Sequence, residues 1–182
     1  MLKIEARLNC LYNFIQSPEF LQKQGLANEV PYSIFDYAPE DECIVREFIQ
    51  QTLVRMPVKI TEVNLYHFLL SLFEEDGIES LLDYEVEEGT DSLFQDVIEP
   101  TIEEGEWVYQ LEQQIQDAQV LFLTGVGSVY PMMRAHDVLN KLFSCQMDIP
   151  LILFYPGTYS GQDLRLFNRF SSNNYYRAFH IT

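Results

Sequence analysis

Residues 119–157 read QVLFLTGVGSVYPMMRAHDVLNKLFSCQMDIPLILFYPG. Two continuous apolar runs, Gln119–Thr124 and Pro150–Tyr155, bracket a glycine turn and a helical pattern that extends from Pro131 to about Phe143. Pro156-Gly157 closes the second run as a turn. Neither run alternates apolar with polar residues, so both read as strands buried on two faces, as in parallel sheets. The 25 residues of 125–149 are long enough for a crossover helix. The stretch is therefore a right-handed βαβ unit.

The flanking sequence repeats this grammar. Upstream, Tyr32–Tyr37 (YSIFDY) has strand composition, and Ala38-Pro39-Glu40-Asp41-Glu42 opens a helix whose apolar face is Ile44, Val45, Phe48, Ile49 and Leu53. Val58–Val63 (VKITEV) is a further strand; Asn64 caps a helix lined by Leu65, Phe68, Leu69, Leu72 and Phe73 and closed by Gly77. At the N-terminus, Ile4, Leu8, Leu11 and Ile15 recur at helical spacing, and Ser17-Pro18-Glu19 starts a second helix ending at Gly25. Thr101-x-x-Glu104 reads as a capping box before a helix with Val108, Leu111 and Ile115 inside, and Trp107 reads as core. Downstream, Asp163–Phe170 reads as a short helix with Arg165 and Arg169 at i and i+4, Ser171–Asn174 as a turn, and Tyr175–Thr182 as a last strand. The expected fold is one α/β domain over 1–182: a mostly parallel sheet of four to five strands (32–37, 58–63, 119–124, 150–155, 175–181) with helices on both faces, a degenerate version of a three-layer nucleotide-binding fold.

Charge is distributed unevenly. The net charge is −17, and residues 1–117 carry 25 acidic against 6 basic side chains. Residues 74–106 hold 14 acids and no base, punctuated by Leu81, Leu82, Leu93, Phe94, Val97 and Ile98, which predicts short helices with an acidic face. Such a chain lacks the basic footprint of a nucleic-acid binder. It fits a protein partner with a basic face, for which Glu85, Glu87 and Glu88 are candidate contacts, or simply a solvated surface. The three cysteines, Cys10, Cys43 and Cys145, have no metal spacing; Cys10 and Cys43 sit within helical patterns and read as small core residues in a reducing compartment. MLKIEARLNC alternates charged and apolar residues and is no signal peptide, and no apolar run reaches the length of a membrane span. A cytoplasmic protein is expected, without cofactor or metal.

The sharpest local feature is Gly125-Val126-Gly127-Ser128-Val129-Tyr130, between a strand and a helix. That context suits dinucleotide or anion binding, with Gly125, Gly127, Ser128, Arg134 and Thr158 as ligand-binding candidates. However, Tyr130 stands where the third glycine belongs, no acid ends the following strand, and no Lys-Ser/Thr follows the glycines. The plainer reading is a tight turn that needs a positive φ. His136 and Asp137 are sequence neighbours, which do not face each other on a helix. His67, His136 and His180 lack ligand partners at i+3 or i+4, and no catalytic set is expected. Tyr130, Tyr155 and Tyr159 are candidate partner contacts, with packing under the sheet edge as the alternative for the last two.

Several segments together resemble the BrxB family: Phe122–Ser128, Tyr130-Pro131 with Arg134 and His136, Leu151–Gly157, Leu164–Phe167, Asn174–Phe179, and the earlier Phe35-Asp36-Tyr37-x-Pro39-Glu40-Asp41 and Asn64-Leu65. The resemblance extends from about residue 5 to the end. It implies a component of a bacterial BREX phage-defence system, working alongside a methyltransferase and a PglZ-type phosphatase-like protein. It further implies a small accessory subunit that binds PglZ directly, and it brings no catalytic residues.

Overall fold

A computed structural model describes residues 3–22, 32–75, 77–145, 149–171 and 178–182. The expected helix end at Gly25, the turn at 172–174 and residues 175–177 of the last expected strand lie outside these. The elements, in chain order, are α1 (Ile4–Ile15), α2 (Pro18–Leu21), β1 (Tyr32–Tyr37), α3 (Glu42–Arg55), β2 (Ile60–Asn64), α4 (Leu65–Ser71), α5 (Ile78–Glu88), α6 (Thr90–Leu93), α7 (Glu99–Glu104), α8 (Trp107–Gln114), β3 (Val120–Thr124), α9 (Val126–Val129), α10 (Ala135–Ser144), β4 (Leu151–Tyr159), β5 (Leu164–Leu166), β6 (Phe170–Ser171) and β7 (Phe179–His180).

The central sheet runs in the order β2-β3-β4-β1-β7, and every pair along that path is parallel. The inner strands β1, β3 and β4 bury both faces, which is why the runs at β3 and β4 are apolar without alternation, while the edge strands β2 and β7 are partly exposed. Leu121, Leu123, Leu151, Leu153 and Tyr155 face one core with Phe68, Trp107, Leu111 and Leu139. Val120, Phe122, Ile152 and Phe154 face a second core with Leu8, Leu11, Val45 and Ile49. Helices thus cover both faces: α1 and α3 on one, α4, α8 and α10 on the other.

The parallel sheet is not the whole of it. Seven strands form a mixed sheet, because β4 does not stop at Pro156-Gly157. It continues to Tyr159 and pairs antiparallel with β5, which pairs antiparallel with β6. The Pro156 carbonyl accepts the Phe167 amide at 2.9 Å, and a side chain on Gly157 would collide with the Arg165 carbonyl. The pair that reads as a turn is therefore the point where one strand changes partners. The expected helix at 163–170 is a hairpin instead. Leu164 and Leu166 are buried while Arg165 is exposed, a period of two, and Phe167 and Asn168 turn the chain at φ 52° and 58°. The i, i+4 arginines carried less weight than that apolar alternation.

Three further expectations change. The helix expected from Pro131 begins at Ala135, after a four-residue α9, since Tyr130 precedes a proline and is extended at ψ 137°. Thr101 caps nothing. The chain is already helical from Thr90, and a π-helical turn at Phe94–Ile98 accommodates Pro100, which has no N–H for the fourth carbonyl behind it. Cys10 and Cys43 are exposed, as is Cys145. The buried face of α1 is Leu8, Leu11 and Ile15, and that of α3 is Val45, Ile49 and Thr52, which leaves both cysteines off the inner stripe. Other local readings hold. Ser17 Oγ accepts the Phe20 amide, Asn64 Oδ1 accepts the Tyr66 and His67 amides, and Trp107 is buried.

Candidate functional site

Parallel sheets receive ligands beyond the carboxyl ends of their strands. Here Tyr37, Asn64, Thr124 and Gly125 end β1, β2 and β3 around a cleft of about 510 Å³, closed by Glu42, Arg46 and Gln50 from α3 and His67 from α4. Its polar side chains bond to one another. Glu42 accepts the Tyr37 hydroxyl at 2.6 Å and the Arg46 guanidinium at 2.7 Å. Glu62 accepts the Thr124 hydroxyl at 2.8 Å and the Gln50 amide at 3.2 Å. Burial, followed by the bond to Glu42, pushes the Tyr37 phenol well above its ordinary range.

The glycine turn sits beside this cleft. Gly125 takes φ +74°, as a tight strand-to-helix turn requires. Gly127 is where another part of the chain comes close: a Cβ there would lie 2.6 Å from Phe167 Cζ. The space over the turn is thus occupied by a side chain of this protein. Gly125, Gly127 and Ser128 border a cleft of about 220 Å³ with Arg46 and Pro156. Arg134 lines a different cleft of about 420 Å³ with His136, Tyr155 and Phe170. Thr158 is exposed and donates to Asn168 Oδ1 at 2.8 Å. The five candidate ligand residues do not converge.

His136 and Asp137, expected not to meet, do so: Nε2 lies 2.7 Å from Asp137 Oδ1. Both are in the first turn of α10. Among the described residues no group of three or more His, Cys, Asp or Glu is placed to hold a metal ion.

Sequence reasoning missed a buried charge cluster. Asp36, near the end of β1, is 6% exposed. Its Oδ1 accepts Arg7 Nη2 at 2.8 Å and lies 2.9 Å from His180 Nε2, and its Oδ2 accepts the Tyr159 amide at 2.9 Å. Burial alone would raise its pKa; the bonds from His180, the Tyr159 amide and Arg7 outweigh it and hold the carboxyl below the usual carboxylate range. Arg7 also donates to the Ile181 carbonyl at 3.1 Å and lies over the Phe35 ring at 4.8 Å. The cluster ties α1, β1, the far end of β4 and β7 together. The signal was present: an aspartate inside an otherwise apolar strand must find partners when the strand is buried.

Of the tyrosines, Tyr155 and Tyr159 are buried at 4% and 3% exposure, which leaves little of either at the surface. Burial, and then Tyr130 beside it, push the Tyr155 hydroxyl well up. Tyr130 is half-buried and stacks on Phe170 at 5.2 Å between centroids. In the acidic segment, Glu87 and Glu88 are exposed, whereas Glu85 is half-buried and accepts the Thr90 hydroxyl at 2.7 Å. No helix among the described residues is long and apolar enough to cross a membrane.

No solved structure matches the chain at a significant level. A curated protein of Bacillus cereus (strain H3081.97), described as BREX protein BrxB, is 35% identical over 189 aligned positions, covering 100% of this chain and 98% of its own length. A second BREX protein BrxB, from Escherichia coli O9:H4 (strain HS), is 31% identical, covering 98% of this chain and 91% of its own length. The family described as BREX protein BrxB matches residues 61–181, from β2 to the edge strand β7. On these matches the chain belongs to the BrxB family, a component of BREX phage-defence systems.

Proposed function

We propose that this protein is a non-catalytic accessory subunit that holds a PglZ-type phosphatase-like protein, and through it the methyltransferase, in one BREX complex. The observation that carries this reading is the helical excursion α5–α7 between β2 and β3. Residues 74–106 concentrate 14 carboxylates with no basic side chain. A basic partner face would be steered toward such a surface and oriented by it, at a rate that falls as salt rises. The strand-end cleft supports the non-catalytic side of the reading, since its carboxylates are spent on Tyr37, Arg46, Gln50 and Thr124.

The test is co-purification with the cognate PglZ-type protein over a salt series, comparing wild type with Glu79→Lys, Glu87→Lys and Glu88→Lys together. Retention by wild type at low salt and loss in the reversed variant is expected. No recovery by wild type at low salt refutes the adaptor role. Recovery unaffected by charge reversal moves the interface elsewhere.

A further inference from the structure

Helix α5 carries two parallel stripes on its outer side. Ile78, Leu82 and Val86 recur every four residues and are 36%, 55% and 86% exposed. Glu79, Asp83 and Glu87, each one residue later, form a second exposed row about 100° round the helix. The inner side is different: Leu81 packs against the core, and Tyr84 donates to Asp96 at 3.3 Å. The apolar row therefore borders the buried side, and the carboxylate row lies beyond it.

Single exposed aliphatics need no explanation, but three in register on one helix form a seam about 12 Å long. The seam's neighbours decide its occupant: the surrounding segment has no base, so an acidic or neutral surface would be repelled or left unpaired. Aliphatics at this spacing are what one amphipathic helix presents to another when two helices pair along their apolar stripes.

We propose that α5 is a docking surface for an amphipathic basic helix of a partner protein, with aliphatic anchors packed along Ile78, Leu82 and Val86 and Lys or Arg side chains paired with Glu79, Asp83 and Glu87. This rests on the reading that the acidic face engages a protein. It adds that binding is part apolar, so a fraction of it survives salt.

The test uses the full chain and a labelled 18-residue peptide with leucine on one helical face and lysine on the other, measured by fluorescence anisotropy. The controls are a peptide of the same composition in scrambled order and the variant Val54→Ser, which alters an exposed aliphatic on α3. Leu82→Ser with Val86→Ser is expected to weaken the patterned peptide about tenfold at high salt. Val54→Ser is expected to change nothing. Equal binding of patterned and scrambled peptides, or full binding by the double variant, overturns the proposal. So does self-association of the wild type that the double variant abolishes, because the seam then belongs to a second copy. In parallel the double variant is tested against the PglZ-type protein. Retained binding there, with peptide binding lost, sinks the stripe as the adaptor's interface and leaves the adaptor role standing. Peptide binding by a wild type that does not bind PglZ has the opposite meaning.

Discussion

The Asp36 carboxylate accepts the backbone amide of Tyr159, 123 positions later in the chain, at 2.9 Å. That bond fastens the part of β4 that has left the parallel sheet to the end of β1. Arg7 and His180 complete the cluster from the first helix and the edge strand.

Removal of this carboxylate should be costly, because it strands a guanidinium that is only 14% exposed. Asp36→Ala is expected to lower unfolding stability by about 3 kcal/mol at neutral pH. Asp36→Asn should cost less, since its amide oxygen can still accept the Tyr159 N–H. Urea midpoints of the two variants and wild type measure this, and equal midpoints would contradict the clamp.

The same group gives a pH signature. Its folded pKa is depressed, so its stabilisation is complete above the unfolded carboxylate value of about 3.9 and is lost as pH falls through the lower folded value. Wild type should therefore lose stability to acid faster than Asp36→Asn below about pH 4. Melting temperatures of both proteins across that range should converge as pH falls. Parallel curves would mean that Asp36 is not held ionised.

Gly127 and Phe167 are coupled by contact. Gly127→Ala places a methyl 2.6 Å from the Phe167 ring and should cost about 1–3 kcal/mol. Phe167→Ala makes room for it and leaves the backbone constraint at φ 52° unchanged, since alanine keeps its Cβ. The double variant should be less destabilised than the two singles summed. Additive losses in a double-mutant cycle would place the ring elsewhere.

The stripe on α5 should matter little to the free protein. Leu82→Ser and Val86→Ser are each expected to change stability by no more than about 0.5 kcal/mol, as exposed positions do. A large loss in either would mean the helix buries that side chain.

All three thiols should be open. Cys10, Cys43 and Cys145 are exposed, so an aromatic disulfide reagent should titrate them in native protein without denaturant. Reaction only after unfolding would restore the core reading.

The sequence by itself determined the central architecture. Continuous apolar runs at 119–124 and 150–155 can only be satisfied between two covered faces, 32–37 has strand composition, and the segments around them carry helical periodicity with caps at Ser17 and Asn64. The acidic excursion and the buried Trp107 were legible for the same reason: local pattern and composition suffice. What needed the tertiary structure was everything decided by distant partners. Pro156-Gly157 is a turn in isolation and a change of strand partner once β5 lies alongside. Cys10 and Cys43 sit within helices whose inner stripe is set by where the sheet lies. Asp36 is an odd residue in an apolar strand until Arg7, Tyr159 and His180 converge on it from both ends of the chain. The row Ile78, Leu82 and Val86 on α5 is apolar in any reading of the sequence; only the packing of Leu81 against the core shows which side of that helix faces solvent.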